Sequence, residues 1–113
     1  MQRMLLAYPG EPIKMIETVH EKEQLQKLVG GPLECLQLGN GLILYCNQNS
    51  NEKGLPVNTH FSQGIIKGPF LITKINHEGN YVGLEENDLL TLQTSILRDR
   101  AEVSIPQAEI RPI

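Results

Sequence analysis

The sequence predicts an α+β fold, with a small, mainly antiparallel sheet, a hairpin at 33–47 and one or two packing helices. Three observations lead to this prediction. Short apolar runs between turn residues indicate strands. The pair Asn40-Gly41 is the preferred sequence of a two-residue hairpin turn. Segment 18–32 has helical apolar spacing between start and stop signals.

The chain length and composition indicate one small domain. The chain has 113 residues, 40% of them hydrophobic and 20% charged, as in ordinary globular proteins. We expect one domain over 1–98 and a C-terminal arm or edge strand over 99–113. A net charge of −3 and few aromatic residues argue against nucleic acid as a partner. No apolar run is long enough to span a bilayer, so a cytoplasmic protein without membrane contact is expected.

The N-terminal half predicts two strands and a helix. Residues 3–8 form a strand that ends at a Pro-Gly turn, and 13–17 form a second. Thr18 and Glu21 have capping-box spacing. Three apolar residues then share one helical face: Leu25, Leu28 and Val29. Gly30 supplies the helix stop, which the following Pro32 reinforces.

The hairpin carries a predicted register. With the turn at Asn40-Gly41, the residue numbers of two paired residues add up to 81. This register places Leu36 opposite Tyr45 and Cys35 opposite Cys46. Both faces of this hairpin are then largely apolar and need cover. A helix would cover one face, and a second subunit or the C-terminal arm the other. We expect the two cysteines to be reduced, buried thiols.

The C-terminal half predicts a strand over 69–75, a short strand at Tyr81-Val82, and a helix over 84–98. The apolar stripe of that helix consists of Leu84, Leu89, Leu92 and Ile96. The chain has no known catalytic or metal-binding motif, so we expect no enzyme activity, no metal and no cofactor.

An amide-rich loop follows the hairpin. Asn47, Asn49 and Asn51 alternate as in a calcium loop, but Glu52 stands where that loop needs glycine and Asn58 where it needs glutamate. Two interpretations remain: turns in which Asn bonds its own backbone, or a ligand site. The loop and tail cations best placed to meet an anion are Lys67, Arg98, Arg100 and Arg111.

The chain resembles a family of small domains of unknown function that is common in phages, plasmids and related mobile elements. The matching segments are LVGG at 28–31, LILYCN at 42–47, GLPVN at 54–58 and IKGPFL at 66–71. The resemblance covers residue 1 to about residue 92. It implies the context of a mobile element, in which small acidic proteins often counter host immunity.

From this context we expect a non-enzymatic, homo-oligomeric accessory protein that antagonises host antiviral defence by binding and sequestering a nucleotide second messenger. Amides would bind the base or ribose, an aromatic ring would stack, and arginine would hold phosphate. The candidate ligand-binding residues are Tyr45, Asn47, Asn58, His60, Arg98 and Arg100.

The alternative is a protein-binding inhibitor of a host defence nuclease or effector, or a structural accessory protein without a ligand. Acidic residues at Glu21, Glu23, Glu85, Glu86 and Asp88 would then imitate nucleic acid. The plainer interpretation is that these are charges at helix N-termini.

Overall fold

A computed structural model describes residues 1–98 and 103–104, which form one sheet with a layer on each face. The strands are β1 (Gln2–Ala7), β2 (Ile13–Thr18), β3 (Leu33–Gly39), β4 (Leu42–Asn47), β5 (Phe70–Ile75), β6 (Tyr81–Val82) and β7 (Val103–Ser104). Their order is β3-β4-β5-β1-β2-β7, and β6 pairs with the end of β5. Among the strands of the described residues, β2–β7 is the one parallel pair. The predicted α+β class is confirmed.

Two helices cover the two faces. Helix α1 (Lys22–Val29) covers one face, where the buried residues are Met4, Leu6, Leu25, Val29, Ile43, Tyr45 and Leu71. Helix α2 (Glu86–Thr91), its π-helical continuation Leu92–Ile96 and the loop around Phe61 cover the other. The chain itself therefore covers both faces of β4, whereas residues 34–37 of β3 are exposed. Cover of the hairpin by a second subunit or the arm stays a prediction.

Helix α1 begins later than the sequence indicated. The helix starts at Lys22 with Glu21 as its N-cap, and no side chain caps it, so the predicted capping box is wrong. Thr18 is buried in β2 opposite Gln2, and the β1–β2 ladder holds it away from the helix. The predicted stop is correct, because Gly30 adopts a φ of 85° and its N–H bonds Gln26 O at 2.8 Å.

The hairpin turn was predicted correctly and its register was not. Asn40 and Gly41 have φ of 56° and 79°, as a type I′ turn requires. An irregularity between Gln37 and Gly39 then shifts the pairing by one residue, so Cys35 lies opposite Tyr45 instead of Cys46. Neighbouring residues of a strand point to opposite faces, so this shift moves the predicted β3 faces. Both cysteines are free thiols; Cys46 is half-buried and Cys35 is exposed rather than buried.

The second helix is held to the sheet by an ion pair. Lys74 Nζ of β5 lies 3.0 Å from Asp88 Oδ1, and Asp88 Oδ2 accepts a bond from Glu85 N–H at 2.8 Å. Asp88 is buried, so this carboxylate serves the fold. The helical segment is shorter than the predicted 84–98, since it spans Glu86–Thr91 and Leu92–Ile96, so Leu84 lies before the helix. Three residues of the predicted stripe are nevertheless buried and the fourth is half-buried: Leu84, Leu92, Ile96 and Leu89.

Strand β7 pairs with Ile13 and Lys14 of β2; the rest of the predicted arm at 99–113 lies outside the described residues. Within the part of the chain that the structure describes, no helix is long and apolar enough to cross a bilayer.

Candidate functional site

A groove of about 480 Å³ lies on the α2 face, beside β3. Its floor is formed by Glu34, Cys35 and Leu36 of β3 and Cys46 of β4. One wall comes from the amide-rich loop and the other from the segment before β5; these wall residues are Ser50, Asn51, Ile65, Ile66 and Lys67. The volume lies within the range typical of small-molecule sites.

Backbone hydrogen bonds hold the two walls. In the amide-rich loop, Leu55 N–H bonds Ser50 O at 3.0 Å and Gly54 N–H bonds Asn51 O at 3.1 Å. The other wall is tied down by the bridge between Val57 and Lys67 and by a bond from Asn58 N–H to Ile66 O at 2.7 Å. The groove is therefore bounded by loops with defined turns.

Asn47 serves the fold and does not face the groove. Its Nδ2 donates to Val29 O at 3.2 Å, and its Oδ1 accepts from Asn49 N–H at 2.8 Å. The side chain is buried and closely packed, since a Cβ on Gly31 would lie 2.9 Å from it. Asn47 thus links the end of α1 to the loop after β4.

Asn58 has a similar structural role in the loop between β4 and β5. Its Nδ2 donates to Ala7 O at 3.0 Å and to Gly68 O at 2.9 Å. Its Oδ1 accepts from His60 N–H at 3.1 Å. The buried amide therefore connects the loop to the end of β1 and to the segment before β5, and both of its donors are used.

The structure brings His60 and Arg98 together, close to Asn58. Arg98 N–H bonds His60 O at 2.8 Å, and the Arg98 guanidinium donates to Thr59 O at 3.0 Å and to Phe61 O at 3.4 Å. His60 Nε2 lies 2.7 Å from Glu11 O. None of these residues lines the groove, and the predicted partner Arg100 lies outside the described residues.

Tyr45 lies on the opposite face, under α1, in a polar cluster that the sequence did not indicate. Its hydroxyl is 3.1 Å from His20 Nε2, and the His20 ring stacks on Tyr81 with centroids 3.7 Å apart. Burial raises the pKa of the Tyr45 phenol, and Tyr81 raises it further. On the same face, Gln2 Oε1 and Thr73 Oγ1 are buried without a hydrogen-bond partner among the described residues. Only the fold brings these residues together.

The groove thus combines apolar walls with an ammonium, an amide and a hydroxyl. Lys67 supplies the cation, Asn51 and Ser50 the neutral polar groups, and Leu36 and Ile65 the exposed apolar surface. Glu34 places a carboxylate at the same site. Such a set suits a ligand with a flat apolar part and an anionic part. Within the described residues, no three His, Cys, Asp or Glu side chains cluster closely enough to hold a metal ion.

Cys46 contributes a protonated thiol to this groove. Burial, with help from Glu34 and Cys35, raises its pKa from 9.0 to about 11. At pH 9 the thiolate fraction should therefore be roughly fifty-fold below that of an ordinary cysteine. We expect iodoacetamide at this pH to label exposed Cys35 quickly and Cys46 slowly, as peptide mass spectrometry would reveal. Equal labelling rates in the folded protein would contradict this expectation.

The same shift has a consequence for stability. Above pH 9 the folded protein keeps a proton on Cys46 that the unfolded chain has lost, so stability should fall as pH rises from 9 towards 11. In Cys46→Ala this component of the pH dependence should disappear from urea unfolding curves. An unchanged pH profile in that variant would assign the effect to other groups.

Comparison with known protein families shows a match over most of the chain. The model of a family described as a domain of unknown function, DUF3846, matches residues 1–96. No curated protein and no solved structure matches the chain.

Proposed function

This chain belongs to the DUF3846 family, whose function is unknown, and on that premise we propose that it is a non-enzymatic accessory protein of a phage or mobile element. It acts in the cytoplasm of the host cell by binding and sequestering a nucleotide second messenger. The observation that supports this proposal best is the groove beside β3, where an ammonium and neutral polar groups adjoin an apolar wall.

The groove has a group that could contact each part of such a ligand. The exposed apolar surface of Leu36 on the floor and Ile65 on the wall would pack against a base, since the face of any base is a flat apolar surface. Asn51 and Ser50 would bond the base edge or the ribose. Lys67 would hold a phosphate as a point charge. Glu34 disfavours ligands that place a second phosphate at its end of the groove.

The original site prediction changes accordingly. Asn47 and Asn58 are replaced by Asn51, because the first two side chains are buried and bonded within the fold. Lys67 takes the role first given to Arg98, because Lys67 lines the groove and Arg98 does not. The substitution Arg98→Ala tests the site that the sequence predicted, in which Arg98 holds the phosphate.

The test is native mass spectrometry and titration calorimetry of the purified chain with cyclic dinucleotides, cyclic mononucleotides and ADP-ribose derivatives. We expect one member of this panel to bind stoichiometrically. Lys67→Ala should weaken its binding by roughly tenfold or more, as loss of a charge-assisted bond does. The matched control is Lys22→Ala, which removes an exposed lysine of α1 far along the chain and should bind normally.

Three results would contradict the proposal in different ways. No adduct with any panel member would reject nucleotide sequestration for those ligands. Binding that survives Lys67→Ala but is lost in Arg98→Ala would move the site to the His60–Arg98 region. Turnover of a bound nucleotide would reject the non-enzymatic role.

The alternative of nucleic-acid mimicry by acidic residues has less support. Asp88 is buried in its ion pair with Lys74 and cannot present its charge to a partner. Glu85 and Glu86 are the N-cap and the first residue of α2, where negative charge favours the helix.

A further inference from the structure

A second groove continues the candidate ligand groove along β3. It has a volume of about 260 Å³ and lies on the α2 face. Leu36 lines both grooves, so they are neighbours on one face of the molecule. The lining of the second groove comes from β3, from the loop before β5 and from the π-helical segment: Leu36, Gln37, Leu38, Phe61, Gln63 and Ile96.

The two grooves follow one another in the same order along both of their sides. Along β3, residues 34–36 line the first groove and residues 36–38 line the second. Backwards along the loop before β5, residues 65–67 line the first groove, and Gln63 and Phe61 line the second. The grooves are therefore consecutive parts of one cleft between β3 and segment 61–67.

The two ends of this cleft differ in charge. The first groove holds Lys67 and Glu34, whereas no charged residue lines the second. Within the described residues, neither Lys67 nor Glu34 has an ion-pair partner, and Lys67 is half-buried. An ammonium that is partly removed from water and unpaired favours an anion beside it. Among the described residues that line the cleft, Lys67 is the single cation, so the cleft has a place for one negative charge.

The neutral end of the cleft combines an apolar lining with an anchored amide. Phe61 and Ile96 are buried there, and Leu38 is half-buried. The exposed Gln63 donates from Nε2 to Ser95 O, and within the described residues its Oε1 has no partner. The amide therefore keeps one N–H and one acceptor for a ligand. Such a pair suits the edge of a nucleobase, which glutamine can bond through both groups.

On the basis of the proposed function, we infer that the ligand is a nucleotide with a single negative charge, a cyclic mononucleotide, and that the second groove takes the edge of its base. The phosphodiester lies at Lys67 and the ribose beside Ser50 and Asn51. The base covers Leu36, and its edge reaches Gln63. This arrangement places the charged part of the ligand at the charged end of the cleft and the neutral part at the neutral end.

A second phosphate would have no favourable place in the cleft. Cyclic dinucleotides and ADP-ribose each carry two charged phosphate groups, whereas a cyclic mononucleotide carries one. Towards the second groove, the extra phosphate would leave water for a lining of Leu38, Phe61 and Ile96 that supplies no cation. Towards Glu34 it would meet a like charge. The charges of the cleft therefore select the singly charged class.

Titration calorimetry with cyclic AMP, cyclic GMP, cyclic di-AMP and ADP-ribose tests the charge class. One of the two cyclic mononucleotides should bind at least about tenfold more tightly than cyclic di-AMP or ADP-ribose. Glu34→Gln removes the carboxylate and should narrow this difference, because binding of the doubly charged ligands gains more from it.

The second groove is tested by Gln63→Ala. This variant should weaken binding of the cyclic mononucleotide by about fivefold or more, because the base loses a hydrogen-bond partner. The matched control is Gln48→Ala, which changes an exposed glutamine that lines neither groove and should bind normally.

The outcomes separate this inference from the proposed function. Cyclic di-AMP or ADP-ribose that binds as tightly as the cyclic mononucleotides, and is lost in Lys67→Ala, would leave the proposed function standing and overturn the single-charge class. Cyclic mononucleotide binding that is unchanged in Gln63→Ala would overturn the second groove as the base site. Absence of binding by all of these nucleotides would overturn the proposed function and the inference together.

Discussion

Asn58→Ala is expected to lower the free energy of unfolding by about 3 kcal/mol, because two buried carbonyl groups lose their hydrogen-bond donor. These are the carbonyls of Ala7 and Gly68, at 3.0 and 2.9 Å from Asn58 Nδ2. The N–H of His60 also loses its acceptor. Urea unfolding followed by circular dichroism would measure the change.

The matched control is Asn51→Ala, an exposed asparagine seven positions earlier on the groove wall. Its unfolding free energy should stay within about 0.5 kcal/mol of the wild type, since exposed substitutions rarely cost more. Asn58→Asp should also be strongly destabilising, because a carboxylate cannot donate to either carbonyl. Equal unfolding midpoints for Asn58→Ala and Asn51→Ala would contradict the structural role of Asn58.

Gly41→Ala is expected to lower the unfolding free energy by about 3 kcal/mol or more, through strain and a close contact. Gly41 has a φ of 79°, and an added Cβ would lie 2.4 Å from Ile75 O. The neighbouring backbone cannot move aside easily, because Ile75 N–H bonds Gly41 O at 2.8 Å. The contact therefore strains the junction between the hairpin and β5.

The variant Gly79→Ala separates the cost of backbone strain from the cost of the close contact. Gly79 has a similar φ of 84°, but nothing lies within 4 Å of the added Cβ. Its cost should be only the conformational penalty of about 1–2 kcal/mol. The difference between the two variants in urea unfolding measures the close contact. Similar midpoints for both would show that the β5 backbone yields at Ile75.

The sequence by itself determined the features that depend on near neighbours. The Asn40-Gly41 turn, the helix stop at Gly30 and the inward apolar positions of the second helix, Leu92 and Ile96, were predicted from short patterns and are present. Each of these depends on backbone preferences or spacing within a few residues, which the order of residues states directly.

Only the tertiary structure decided the pairing register of the hairpin and which polar side chains remain available to bind a ligand. The one-residue shift between Gln37 and Gly39 is a small irregularity that no turn signal encodes, yet it moved the predicted faces of β3. Thr18 likewise has a good capping sequence, but pairing with Gln2 holds it in the sheet.

Three asparagine side chains show most clearly what the local sequence leaves open and the tertiary structure decides. Asn47, Asn51 and Asn58 lie in one amide-rich stretch of the sequence, and nothing in the neighbouring residues predicts which of them will be buried. The structure buries Asn47 and Asn58 and leaves Asn51 at the groove. Asn47 bonds Val29, 18 positions away, and Asn58 bonds Ala7, 51 positions away. A buried amide must find such partners, and partners that distant along the chain exist only once the sheet and helix have packed.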